Sequence, residues 1–154
     1  MKFRNLLVVL VLCLLTTPLY AGKITSEIEL TRSIIQTEKQ AIIAKNMSFT
    51  EAEAQEFWPV YYDFQAALRK VGDRRVQLIM DYAKNYERLS DKQAQKILND
   101  HFKIAKARIK TEKRYMKKFK RILPIKKVAR YIQLENKMES VINVELAANI
   151  PLIR

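Results

Sequence analysis

Apolar residues recur along most of this chain at alternating steps of four and three, the period of one side of an α-helix. The first run, Ile28, Ile34, Ile35, Ile42 and Ile43, predicts a helix from about Thr25 to Lys45 that weakens near Asn46-Met47. A second passes through Phe57, Tyr61, Phe64, Leu68 and Val71, then Leu78, Tyr82 and Leu89, interrupted by Arg75 and Asn85. It predicts a helix about 50 Å long, bent at Pro59, whose ring removes one backbone bond and crowds the preceding turn. The third run is Leu98, Phe102, Ala105, Ile109, Glu112, Met116, Phe119 and Leu123, the side of that helix expected to face the core. Pro124 ends it and starts a fourth helix, Ile125 to about Ala148. This last helix is apolar through Val128, Ile132, Ile142 and Leu146, and on another side through Tyr131, Leu134, Met138 and Val141. The second apolar side predicts a subunit contact, and so a homodimer.

Two helix starts are written in the same way. Phe49-Thr50-Glu51-Ala52-Glu53 and Leu89-Ser90-Asp91-Lys92-Gln93 both place an apolar residue before a Thr or Ser N-cap, with Glu or Gln three residues on. That is the pattern of a capping box, in which Thr50 with Glu53 and Ser90 with Gln93 satisfy each other's backbone donors. The likeness continues past the caps: Ala54-Gln55 matches Ala94-Gln95, Phe57 matches Ile97 and Tyr62 matches Phe102, a weak internal repeat. Two such helices in succession predict an antiparallel hairpin. Only Gly22 and Gly72 are glycines, and no Pro/Gly/Ser-rich linker occurs, so the turns that sheets require are missing. The expected fold is all-α: a four-helix antiparallel hairpin or bundle with long second and third helices, forming a single domain over residues 22–154.

Residues Met1 to Ala21 read as a secretory signal: Lys2 and Arg4, the apolar run Leu6 to Leu15, then Thr16-Thr17-Pro18 leading into Leu19-Tyr20-Ala21. The apolar run is too short for a stable membrane anchor, and cleavage is expected after Ala21. The only cysteine, Cys13, would leave with that segment. A mature chain from Gly22 then has no thiol, which excludes disulfides, thiolate zinc sites and cysteine nucleophiles. The expected location is the periplasm.

Charge changes this picture most. The formal net charge is +13, and nearly all of it lies between Lys103 and Arg130, where thirteen Lys or Arg meet a single acid, Glu112. On the third helix Lys103, Lys106, Lys110, Lys113, Arg114, Lys117, Lys118, Lys120 and Arg121 fall opposite the apolar run, while Arg108 and Glu112 are spaced to pair with each other. Cations at a helix C-terminus favour the dipole, which gives Lys117, Lys118, Lys120 and Arg121 a structural use; Lys126 and Lys127, in the first turn of the next helix, have none. A surface built for solubility alone mixes signs. The candidate partner-binding residues are therefore Lys106, Lys110, Lys113, Arg114, Lys117, Lys118, Arg121, Lys126 and Lys127, and the partner should be acidic.

Other chemistry is poorly served. The sole histidine, His101, makes a poor zinc or copper site without cysteine, so no metal or cofactor is expected, and His101 itself is expected to be partly buried in a core or interface. No Ser/His/Asp set, phosphate loop or HExxH appears, so the chain is not read as an enzyme. Nucleic acid is excluded by the export signal and by Tyr115 and Phe119, which sit on the apolar side instead of among the cations.

The paired capping boxes resemble the LTxxQ motifs of the Spy/CpxP family of periplasmic chaperones and envelope-stress proteins. Leu89-Ser90-Asp91-Lys92-Gln93 differs by Ser for Thr, and Phe49-Thr50-Glu51-Ala52-Glu53 by Phe for Leu and Glu for Gln. Phe57-Trp58-Pro59-Val60-Tyr61, the stretch Leu123 to Arg130 and the tail Ile150-Pro151-Leu152-Ile153 are similar to exported helical proteins often grouped with that family. The resemblance implies a helical cradle, commonly dimeric, that holds unfolded envelope proteins without ATP or reports envelope stress to the periplasmic domain of a sensor kinase. Client contacts would then come from Met116, Phe119 and Met138, unless these are ordinary core residues. A regulatory protein that docks on a sensor, and a binder of anionic lipid or lipopolysaccharide, are the alternatives that the same basic helix allows.

Overall fold

The computed structural model describes residues 21–153, with side chains from Ile28 onward. The expected signal segment up to Tyr20, including Cys13, lies outside them. The described residues are all-α, with four helices and no strand: α1 (Ala21–Met47), α2 (Glu51–Ala83), α3 (Asp91–Ile122) and α4 (Ile125–Asn149). A single 3₁₀ turn, Tyr86–Arg88, stands between α2 and α3.

Both capping boxes form. The Thr50 hydroxyl accepts from the Glu53 amide at 3.2 Å while the Glu53 carboxylate accepts from the Thr50 amide at 2.8 Å. Ser90 and Gln93 repeat this at 3.4 and 2.9 Å. Each cap satisfies donors that the first helical turn cannot, a contribution of about 1 kcal/mol. At the other end of α1, Ser48 takes a left-handed φ of 46°, the conformation that commonly turns the chain out of a helix. The helix thus runs two residues past the expected Lys45, to Met47, which is fully buried.

The chain falls into two compact units. One comprises residues 49–130: α2, the 3₁₀ turn, α3 and the start of α4. Its two long helices run antiparallel, because Phe57 meets Phe119 at 5.4 Å while Phe64, further along α2, meets Tyr115, further back along α3, at 5.2 Å. Phe57, Tyr61 and Phe119 are fully buried. Phe49 packs on Phe57 at 4.5 Å and Trp58 lies edge-on to it at 5.3 Å. Aromatic pairs of this kind add about 0.5–1.5 kcal/mol each to the burial of the rings. They flank Pro59, and α2 continues as helix through that residue; the packed rings on both sides offset the roughly 3 kcal/mol that an interior proline costs.

The other unit is α1 together with Tyr131–Leu152. Ile28, Ile43, Met47 and Tyr131 are buried in it, whereas Ile42, expected on the apolar side of α1, is exposed. Lys39 of α1 reaches Glu135 of α4 at 2.6 Å, and the Tyr131 hydroxyl donates to the same carboxylate at 3.1 Å.

Candidate docking face on the third long helix

Three sectors divide the circumference of α3 at about 100° per residue. Tyr115 and Phe119 face α2, and Ile104, Arg108, Thr111 and Ile122 on the same side are half-buried. Roughly 100° away lies an apolar strip that the hairpin leaves open: Leu98 is 50% exposed, Phe102 62% and Ile109 51%. The third sector is cationic. Lys106, Lys110, Lys113, Arg114, Lys117, Lys120 and Arg121 are all exposed there.

The sequence period alone groups Leu98, Phe102 and Ile109 with Phe119 and Leu123 on one core-facing side. Only Phe119 and Leu123 are buried; Met116 and Ala105 are half-buried. The reason is rotational: α2 packs against the side centred near Tyr115, and the repeat positions drift out of the contact toward the N-terminal half of α3. Phe119, a candidate client contact, is wholly internal to the hairpin. His101 is also corrected, being exposed with its ring edge-on to Phe102 at 5.4 Å. Tyr62 and Phe102, matched after their caps, are 47% and 62% exposed, whereas of the matched pair Phe57 and Ile97 the first is buried and the second half-buried.

Acids divide the cations into two groups. In the first half of α3, Asp100 accepts from Lys96 at 2.7 Å and from Lys103 at 3.3 Å, and these ammonium groups, Lys96 foremost, hold its carboxyl below the usual range. Arg108 and Glu112 pair at 2.9 Å, as their spacing predicts. By contrast, Lys106, Lys110, Lys113, Arg114, Lys117, Arg121 and Lys126 make no ion pair among the described residues. Lys118 stands 3.9 Å from Asp63, both well exposed, a contact that contributes little. Its ammonium and the Arg114 guanidinium lie 4.8 and 5.1 Å from the Tyr115 ring centre. Lys120 and Arg121 close the last turn, where positive charge suits the helix dipole.

Lys127 is used differently from the rest. Half-buried, it donates to Glu53, the acid of the first capping box, and so ties the first turn of α4 to the start of α2. That hydrogen bond, followed by the one from the Thr50 amide, holds the Glu53 carboxyl below its ordinary 4.5. The positive charge that α4 tolerates poorly at its N-terminus is thereby matched, a use that the sequence reading did not foresee. Lys126, beside it, remains exposed.

Comparison with family models, curated proteins and solved structures found no match to this chain. The functional reading therefore stands on the α3 surface itself. No helix among the described residues is long and apolar enough to cross a membrane, and no group of three or more His, Cys, Asp or Glu that could hold a metal occurs among them.

Proposed function

We propose that this protein is an exported, ATP-independent chaperone-like or envelope-stress protein that binds acidic or partly unfolded proteins along α3. The observation that carries this reading is the pairing of an unmatched cationic sector with an exposed apolar strip on the same helix. Long-range attraction captures an acidic chain, and shallow contacts with Leu98, Phe102 and Ile109 then hold it weakly enough to let it fold or leave. These three residues replace Phe119 as the apolar contacts.

The test is suppression of aggregation of an unrelated acidic denatured protein at low and high salt. Wild type should suppress it at low salt, and the combined reversals Lys110→Glu, Lys113→Glu, Lys117→Glu and Lys118→Glu should abolish the effect. Absence of suppression in every condition sinks the proposal. An exposed apolar strip bordered by lysines is also what an interfacial helix presents to anionic lipid, so sedimentation with acidic vesicles and no effect on aggregation would favour that second reading.

A further inference from the structure

The open strip on α3 has a defined register. Leu98, Phe102, Ala105, Ile109, Glu112 and Met116 follow steps of four and three, the d and a positions of successive heptads. Such a period is the signature of a helix that packs along another helix, yet α2 occupies a different side of α3. Leu98, Phe102 and Ile109 are exposed, and Ala105, Glu112 and Met116 half-exposed. The acid within the strip, Glu112, is already neutralised by Arg108.

We propose that this strip is a docking seam for an acidic amphipathic helix of a partner or client protein. The inference rests on the reading given under Proposed function and narrows it to the form in which the acidic partner binds. Charge selects the occupant. The flanking e positions are Asn99, Lys106, Lys113 and Lys120, and the g positions are His101, Arg108 and Tyr115. Flanking residues set partner choice in paired helices. A second copy laid antiparallel would bring these lysines against one another. Laid parallel, it would bring them against His101 and Arg108, neither of them acidic, Tyr115 being buried against α2. Neither arrangement supplies a negative charge, so a second copy is disfavoured on this seam. A helix with Asp or Glu beside its apolar stripe meets every one of the flanking lysines.

The test uses the mature chain and a labelled peptide about four heptads long, with Leu at a and d and Glu at e and g, compared with a twin carrying Lys at e and g. Anisotropy should show binding of the acidic peptide and at least tenfold weaker binding of its twin, and the acidic complex should weaken tenfold or more between about 50 and 300 mM salt. Phe102→Asp, at a position whose side chain is mostly exposed, should leave the circular dichroism unchanged and weaken peptide binding at least tenfold. Lys106→Glu with Lys113→Glu should reverse the preference between the two peptides. Equal binding of both peptides, or acidic-peptide binding indifferent to Phe102→Asp, overturns the inference. If neither peptide binds while aggregation of an acidic denatured client is still suppressed, the helix seam fails and the broader function survives. Binding to phosphatidylglycerol vesicles in place of the peptide makes a membrane the occupant and also overturns it.

Discussion

The pair formed by Lys39 and Glu135 provides the strongest test of how the α1 unit is held. Their charged atoms lie 2.6 Å apart, and the side chains are only 11% and 7% exposed. The Tyr131 hydroxyl donates to the second carboxylate oxygen at 3.1 Å. A pair so shielded from water gives little net stability relative to an apolar replacement, because desolvation of both ions cancels most of their attraction. Removing one partner is another matter, since the remaining charge keeps its desolvation cost and loses this close counter-charge. Lys39→Met and Glu135→Gln are each expected to destabilise by about 3 kcal/mol, the lower end of the range for such pairs because some exposure remains. For a domain of this size that is a fall in Tm of roughly 10 °C. The double variant Lys39→Met with Glu135→Gln, whose amide oxygen still accepts from Tyr131, should recover to within about 1 kcal/mol of wild type. Urea denaturation followed by far-UV circular dichroism measures the losses. The only tryptophan, Trp58, lies in the hairpin unit, so its fluorescence reports that unit separately and assigns the loss. Additive destabilisation in the double variant would refute the argument, because it would mean that each side chain acts alone.

Two further outcomes follow from local geometry. A Cβ added at Gly72 meets no atom within 4 Å, and the residue is interior to α2, so Gly72→Ala should stabilise the chain by about 1 kcal/mol in urea denaturation; a loss would mean that another group packs against that position. Glu53 has a carboxyl held below 4.5, first by the hydrogen bond from Lys127 and then by the Thr50 amide. A depressed folded value gives stability that is present above the unfolded value and lost as pH falls through the folded one. Acidification from about pH 6 to about pH 3 should therefore destabilise wild type more than Glu53→Gln, which keeps the capping geometry; identical slopes would show that the Lys127 link contributes nothing.

Much of the fold was legible because it is local. Thr50 with Glu53 and Ser90 with Gln93 announce helix starts through hydrogen bonds that span three residues, and both boxes form. The Arg108–Glu112 pair is also set by helical spacing alone. What the sequence could not place was anything that depends on which side of a helix a neighbour chooses. The period through Leu98, Phe102 and Ile109 is the same whether those residues are core or seam, and only the position of α2 near Tyr115 separates the two. The use of Lys127 is invisible to local pattern for a similar reason: its partner Glu53 is 74 residues away in sequence. The hint that was present lay in the internal repeat, which matched Phe102 with Tyr62, and both proved exposed.

The size of the open strip also limits the kind of complex it can form. Leu98, Phe102 and Ile109 are each about half exposed, so covering them yields roughly 1 kcal/mol apiece, and the facing side chains of a partner add a similar sum. The resulting 6 kcal/mol or so falls within the range of the cost of association itself, about 4–15 kcal/mol. Apolar contact alone therefore leaves little net affinity, and the balance must come from Lys106, Lys113, Lys120 and their neighbours, whose exposed pairs contribute about 0.2–1 kcal/mol each and are screened by salt. Binding on this face is consequently weak, reversible and sensitive to ionic strength, properties that suit transient holding of an acidic chain and not a permanent subunit contact. A tight, salt-insensitive complex would need more buried apolar area than α3 offers and would have to engage a different surface.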